Sequence, residues 1–306
     1  MKKVLYKLKT RIRYSKIGEK IVDCILVSKY SDLIYYLFDK LKLTDGTNRN
    51  FINNESCKFF ETNKEKIEKI KYSLSDEKSK QVYEKMIKYR CFGQRNNLPE
   101  YSLNDQYFPK DIIKLSENEV FVDCGAYIGD TIKRFIRIVN GKYNKIVAFD
   151  ADIRNLQKIK DKKLRNVTCF NLGVWNKKGI LKFVQNNVHS AGSKIKEIAT
   201  ISIFNNIDYQ NKKINDTVIN VEAIDNIEEC SNMTFLKMDI EGAELNALKG
   251  AEKTIRKNKP KLAICIYHSD EDMINIPQWI VNLNMDYKLY IRQHLGGLEE
   301  TVIYAV

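Results

Sequence analysis

Four short segments bring acids, glycines and a histidine together at spacings that can do chemistry. The sharpest is Val120-Phe-Val-Asp-Cys-Gly-Ala-Tyr-Ile-Gly-Asp-Thr131. An apolar run ends in an acid, Asp123, and Gly125 and Gly129 open the segment that follows. Glycine tolerates positive φ and lets a ligand approach the backbone closely. The pyrophosphate fingerprint G-x-G-x-x-G is absent; the pattern here is D-x-G-x-x-x-G. A cofactor without a pyrophosphate needs no phosphate cradle, and an acid at this place can face a cation or accept hydrogen bonds. A purely structural tight turn looks the same. Asp150 ends the next apolar run, 27 residues after Asp123. An acid at the end of the second strand is where a ribose diol is gripped, each charge-assisted hydrogen bond contributing about 1.5–3 kcal/mol before desolvation. A solvent-facing turn acid is the alternative. The third segment, Phe235-Leu-Lys-Met-Asp239-Ile-Glu241-Gly-Ala-Glu244, delivers Asp239 and Glu241 to a strand end. These could be solvated strand-end acids, but their density beside a crevice favours function. Glu244 is placed to complement a helix dipole. The fourth, Ile266-Tyr267-His268, ends the following strand. His268 is the natural proton acceptor there, with a hydrogen-bonded structural histidine as the alternative.

The elements that must position these residues are legible in the periodicity. From about residue 118, short β-branched and aromatic runs alternate with amphipathic stretches. Strands are predicted at 120–122, 145–149, 167–172, 180–184, 218–224, 234–238 and 261–266. Ile132, Phe135, Ile136 and Val139 form the stripe of one helix; others are predicted over 153–163 and 243–257, the last stopped by Pro260. Residues 287–292 and 301–306 flank Gly296-Gly297 and read as an antiparallel terminal hairpin. Such alternation implies a doubly wound, mostly parallel sheet with ligands at the carboxyl ends of its strands. Residues 1–92 read as helical, with apolar stripes over 31–43 and 75–90, the latter capped by Ser75. Asparagines over 48–54 and Asn96-Asn97-Leu98-Pro99 mark loops. Two regions follow: a helical N-terminal region, 1–110, and an α/β domain, 111–306.

Composition narrows the function classes. The 306 residues are 43% hydrophobic and 30% charged, an ordinary globular balance. The longest apolar runs, such as 33–38 and 262–267, fall far short of the ~20 residues of a transmembrane helix. The basic N-terminus is interrupted by Asp23 and lacks a small-residue cleavage site, so a secretory signal is not expected. Seven scattered cysteines without a close pair argue against a zinc ribbon or a disulfide scaffold and suit a reducing cytoplasm. With only three histidines, a His-rich metal centre is not expected; the strand-end carboxylates leave a divalent ion possible, two acids being a weak metal signature. Residues 1–110 hold 24 Lys/Arg against 14 Asp/Glu, and the rest 28 against 25, so the formal charge of +13 is mostly N-terminal. That excess suits an anionic partner, or is a solvated helix face. Gly192 and the neighbouring residues 189–193 lie in a polar insertion, about 185–217, placed to shape an acceptor pocket.

The segments Val-Asp123-Cys-Gly-Ala-Tyr-Ile-Gly-Asp-Thr, Ala-Phe-Asp150, Asn171-Leu-Gly-Val-Trp175, Lys237-Met-Asp-Ile-Glu-Gly-Ala-Glu244 and Pro260-Lys-Leu-Ala-Ile-Cys-Ile-Tyr-His268 together resemble the FkbM family of S-adenosyl-L-methionine-dependent methyltransferases, from about residue 115 onward. The resemblance implies the Rossmann-like class I methyltransferase fold, a seven-stranded, mostly parallel sheet whose terminal hairpin supplies an antiparallel strand. It implies S-adenosyl-L-methionine as cofactor, with Asp123, Gly125, Ala126, Tyr127, Gly129, Asp130 and Thr131 around its methionine part, Asp150 on the ribose, and Leu172, Gly173 and Val174 along the adenine. Where the family usually shows Glu-Pro this chain has Asp150-Ala151, which predicts a weaker or shifted ribose contact. The expected reaction is methylation of a hydroxyl or amine on a small molecule or glycan, such as a phosphate-bearing sugar or a surface glycan, with Asp239, Glu241 or His268 taking the proton. Nucleic-acid methylation is the runner-up, weakened because no Pro-Pro-Tyr-like motif follows the fourth strand. A catalytically silent cofactor-binding scaffold and a nicotinamide oxidoreductase are further alternatives, the latter disfavoured by the missing phosphate loop.

Overall fold

The computed structural model describes residues 53–184 and 216–306. The helix expected over 31–43, most of the asparagine-rich loop, the basic first twenty residues and nearly all of the polar insertion lie outside the described residues.

Seven strands form the main sheet: β1 (Val120–Cys124), β2 (Lys145–Phe149), β3 (Val167–Phe170), β7 (Phe235–Met238), β8 (Lys261–Cys265), β9 (Leu289–Gln293) and β10 (Thr301–Ala305), in the order β3-β2-β1-β7-β8-β10-β9. The first five are mutually parallel; β10 runs antiparallel to β8 and pairs with β9 as the terminal hairpin. A smaller sheet joins β4 (Gly173–Val174), β6 (Asp216–Glu222) and β5 (Gly179–Val184). The strand expected over 167–172 therefore ends at Phe170, and the chain resumes in the second sheet at Gly173. The connections run outward from β1 through α4 (Asp130–Ile138), β2, α5 (Ile153–Lys160) and β3, then return to β7 on the other side of β1. This reversal opens a crevice at the carboxyl ends of β1 and β7, where ligands bind in sheets of this type.

Strand alternation sorts the core onto two faces. Phe121 and Phe235 stack at 5.1 Å on one face, joined by Phe135 of α4 at 4.7 Å from Phe121, and Phe108 covers them. Val122, Cys124, Leu236 and Met238 point the other way, into a cluster that also contains Tyr83, Met86 and Tyr89. These last residues belong to α3 (Glu77–Phe92), and Phe60 of α1 (Asn54–Thr62) and Ile67 and Ile70 of α2 (Lys64–Ser73) join the same cluster. The helices thus share one core with the sheet across the boundary expected near residue 110.

Polar contacts fasten them there. Asp76, not Ser75, caps α3, accepting a bond from the Ser79 amide at 2.7 Å. The same carboxylate meets buried Arg292 of β9 at 2.7 Å, whose guanidinium also holds Asp111 at 2.8 Å. A helix that the periodicity did not disclose, α8 (Asp272–Asn282), carries Pro277 in its interior. Proline there removes the amide that would bond to the carbonyl four residues back. That carbonyl belongs to Met273, and the buried Tyr83 hydroxyl donates to it at 2.9 Å, replacing the missing partner. The helix expected over 243–257 divides into α6 (Glu244–Lys249) and α7 (Glu252–Asn258). At the break, a Cβ on Gly250 would lie 2.0 Å from the Trp175 carbonyl oxygen, so the chain passes where only glycine fits. Among the described residues no helix is long and apolar enough to cross a membrane.

Candidate active site

The left side of the crevice is built mostly from backbone. After β1 the chain turns through left-handed conformations at Gly125, Tyr127 and Gly129, with φ of 79°, 46° and 76°. The Gly125 and Ala126 amides both donate to the Phe149 carbonyl at the end of β2, at 3.0 and 2.9 Å. A Cβ on Gly125 would fall 1.9 Å from the Asp239 carbonyl oxygen. At Gly125 the close approach that requires glycine is made by the residue that follows β7. Gly129 precedes α4 and packs against Ile159, leaving Asp130 half-exposed in the first helical turn and Thr131 buried. Tyr127 stands exposed, and its amide donates to Asp150 Oδ2 at 2.8 Å. Asp150 Oδ1 accepts from the Asp152 amide at 2.8 Å and from Asn155 Nδ2 at 3.2 Å. Asn171 in turn donates to the Asp150 and Ala151 carbonyls at 3.0 and 2.9 Å. The ends of β1, β2 and β3 are therefore stitched into one rim, and Leu172 and Gly173 continue it half-buried. Val174 points into the core.

The right side is built from charged side chains. Asp123 and Lys237 are direct cross-strand partners, 0% and 2% exposed, with Nζ 3.0 Å from Oδ1. Lys237 also donates to the Cys124 and Gly125 carbonyls at 3.2 and 2.8 Å, so a buried cation clamps the underside of the glycine turn. Burial pushes the Asp123 carboxyl up, and the ammonium beside it opposes that shift. Asp239 follows two residues later, 22% exposed. Its Oδ2 accepts the Tyr107 hydroxyl at 2.8 Å and its Oδ1 the Tyr267 hydroxyl at 2.9 Å. Burial raises the Asp239 carboxyl, but Lys237, His268 and the two phenols outweigh it and hold it below the ordinary carboxylate range. Glu241, in a left-handed turn with φ 59°, is the open carboxylate, 57% exposed, and burial of the remainder raises it.

His268 sits among three of these acids. Nδ1 is 3.2 Å from Glu244 Oε1, while Nε2 is 3.5 Å from Asp239 Oδ1 and 3.8 Å from Glu241 Oε2. Burial alone would lower its pKa, yet Glu244, Asp239 and Glu241 raise it to about 9. The imidazole expected to accept a proton therefore already carries one at neutral pH, because a desolvated cation flanked by carboxylates is more stable than the neutral ring. Its two nitrogens face different acids, Glu244 on one side and Asp239 and Glu241 on the other. Glu244, at the start of α6, is fully buried and accepts the Ile240 amide at 2.7 Å, closing the turn that carries Glu241.

The structure thus brings Asp239, Glu241 and His268 together opposite the rim formed by the glycine turn and Asp150. It adds Lys237, Tyr107 and Tyr267. Lys237 had a signal in the sequence, a lone charge inside the apolar run of β7, which calls for a buried counter-ion. Tyr107 lies in an irregular segment with no periodicity to single it out.

Comparison with known proteins agrees with this architecture. The family model of the methyltransferase FkbM domain matches residues 123–289. The crystal structure of methyltransferase FkbM from Methylobacillus flagellatus KT superposes with a TM-score of 0.65 at 24% identity, over 81% of this chain and 60% of that protein. The chain therefore spans less than two thirds of that relative's length. More distant are an rRNA methylase from Streptococcus thermophilus, with a TM-score of 0.36 at 15% identity over 62% of this chain and 87% of that one, and SMU.1697c from Streptococcus mutans, a putative methyltransferase in complex with SAH, with 0.36 at 12% over 63% and 91%. No curated protein matches.

Proposed function

Since the chain belongs to the FkbM methyltransferase family, we propose that it transfers a methyl group from S-adenosyl-L-methionine to a hydroxyl or amine of a small-molecule or glycan acceptor. The observation that carries this reading is the junction at β1 and β7. There the Asp239 amide bonds the Cys124 carbonyl at 3.1 Å, joining the glycine turn to the acid-bearing turn across a single crevice. When bound, the donor supplies an electrophilic methyl on a positively charged sulfur.

The rim fits such a donor. Asp150 is half-buried at the end of β2 and its carboxylate offers about four lone-pair sites. Three already receive Tyr127, Asp152 and Asn155, which leaves one for a ribose hydroxyl; gripping both hydroxyls requires Asn155 to give way.

On the opposite side, Glu241 is the residue best suited to take the acceptor's proton. It is the exposed acid of the group, and its carboxyl is raised where that of Asp239 is lowered. His268, as a cation, favours the charged form of Asp239 and opposes the rise at Glu241. Alignment of the acceptor behind the methyl then does most of the catalytic work. The concentration of carboxylates favours an uncharged hydroxyl or an ammonium at the reacting edge. It disfavours a phosphodiester there, and a phosphate carried by the acceptor would lie away from Glu241. Mass spectrometry of glycosides and glycopeptides, with and without phosphate, incubated with labelled donor tests the reading. The expected result is methylated product on unphosphorylated glycan. Calorimetry showing that the chain does not bind the donor would overturn it.

A further inference from the structure

Asp239 is held in place from outside the segment that the family match covers. Tyr107 precedes β1 and has a backbone φ of 63°, a conformation costly for an aromatic residue. The surroundings impose it. The Tyr107 amide donates to the Tyr304 hydroxyl of β10 at 3.0 Å, the ring is buried, and Lys237 Nζ lies 5.1 Å from its centroid. The outcome is a phenol that reaches Asp239 Oδ2 at 2.8 Å while also flanking the cation that clamps the glycine turn.

We propose that Tyr107 is a positioning residue for Asp239, fixing the orientation and ionisation of the carboxylate at the acceptor side, so that the segment before the methyltransferase sheet completes the site. The assignment of that side to the acceptor rests on the methyl-transfer reading. Other groups facing Asp239 come from every neighbouring element. Lys237 precedes it on β7 and Asp123 lies across on β1; Tyr267 and His268 follow β8, with Cys265 at its end. Glu241 follows in the same turn and Glu300 approaches from the start of β10. Among these only Tyr107 and Tyr267 donate hydrogen bonds to the carboxylate through neutral groups. A donated bond favours the charged acid, so its deletion moves the titration of Asp239 to higher pH.

The test uses the full chain and the Tyr107→Phe variant, which keeps the ring and deletes the hydroxyl. Carboxyl carbon NMR reads the titration of Asp239, its signal assigned by disappearance in Asp239→Asn. The midpoint is expected to rise by about one pH unit, with donor affinity within about twofold of the unsubstituted chain. Tyr83→Phe, which deletes a buried hydroxyl bonded only to the Met273 carbonyl, is expected to leave the midpoint where it was. An unmoved midpoint in Tyr107→Phe, or an equal shift in Tyr83→Phe, would overturn the proposal. A second reading needs no change at Tyr107: its hydroxyl proton signal is expected to move in Asp239→Asn, and an unmoved signal counts equally against it. Failure of the unsubstituted chain to bind the donor removes the methyl-transfer reading and leaves the titration to decide the Tyr107 contact.

Discussion

The two sides of the crevice are made in different ways. The rim formed by the ends of β1, β2 and β3 is a set of short bonds in which backbone amides and carbonyls meet one another or the Asp150 carboxylate. The side formed by the ends of β7 and β8 depends on ionised side chains removed from water, held in part by Asp123 and Tyr107, more than a hundred residues away. The first is tolerant of change at any single side chain. The second concentrates its free energy in pairs, because a buried charge that loses its partner has no solvent to fall back on.

Lys237→Met probes this contrast hardest. It leaves Asp123 fully buried without its cation and frees the underside of the glycine turn. Removing one partner of such a pair costs about 3–5 kcal/mol, a large share of the ~5–15 kcal/mol that a domain holds in total. Urea unfolding measures it, and Asp123→Asn added to Lys237→Met should recover part of the loss. A loss below about 1 kcal/mol would mean that the two sides do not differ in kind.

The imidazolium gives the next largest effect, and it is read by pH. His268 titrates near 6.5 when unfolded and at about 9 in the fold. The folded chain therefore holds the extra proton between those values. Its stabilisation is complete below about pH 6.5 and is lost as pH rises through 9, on the order of 3 kcal/mol. Glu300, raised to about 8 by burial and by Asp239, acts with the same sign over a lower, overlapping window. The His268 share is isolated as the difference between the unfolding free energies of the natural chain and His268→Gln across pH 6–10. A difference that does not change with pH would mean the ring is not charged in the fold.

On the rim, Asp150→Ala should weaken donor binding by more than tenfold, about 1.4 kcal/mol or more, with stability changing less than in Lys237→Met. Equal affinity by calorimetry would remove Asp150 from the ribose.

How far each side was legible follows from the same difference. Apolar runs ending in Asp123, Asp150 and Asp239 announced the strands and the sheet edge at which they end, because a buried strand and its polar terminus are local in sequence. The terminal hairpin was legible for the same reason. The break at Gly250 was not, since it is imposed by the Trp175 carbonyl from another element. Helix α8 was hidden by Pro277, whose missing bond is supplied by Tyr83. The residue types at 239, 241 and 268 pointed to proton chemistry, but the direction of His268's shift depends on Glu244 and Asp239 standing on opposite sides of one ring. Tyr107 illustrates the limit: nothing local marks it, and its role exists only once β7 and β10 are in place.

The smallest effects should be found among the exposed bonds at the base of the rim, where Asp152 caps α5 beside Asp150. Its Oδ1 accepts the Arg154 amide at 2.9 Å and its carboxylate also meets the Arg154 guanidinium, 85% exposed, at 2.5 Å. The two contacts differ in what replaces them. The amide is one of the helix's first donors and has no other partner among the described residues, so Asp152→Ala should cost about 1 kcal/mol. The guanidinium loses a contact that water replaces, so Arg154→Ala should leave the thermal unfolding midpoint unchanged within error. A loss in Arg154→Ala as large as in Asp152→Ala would mean that this side, too, depends on paired charges, and the contrast between the two walls of the crevice would fail at its weakest point.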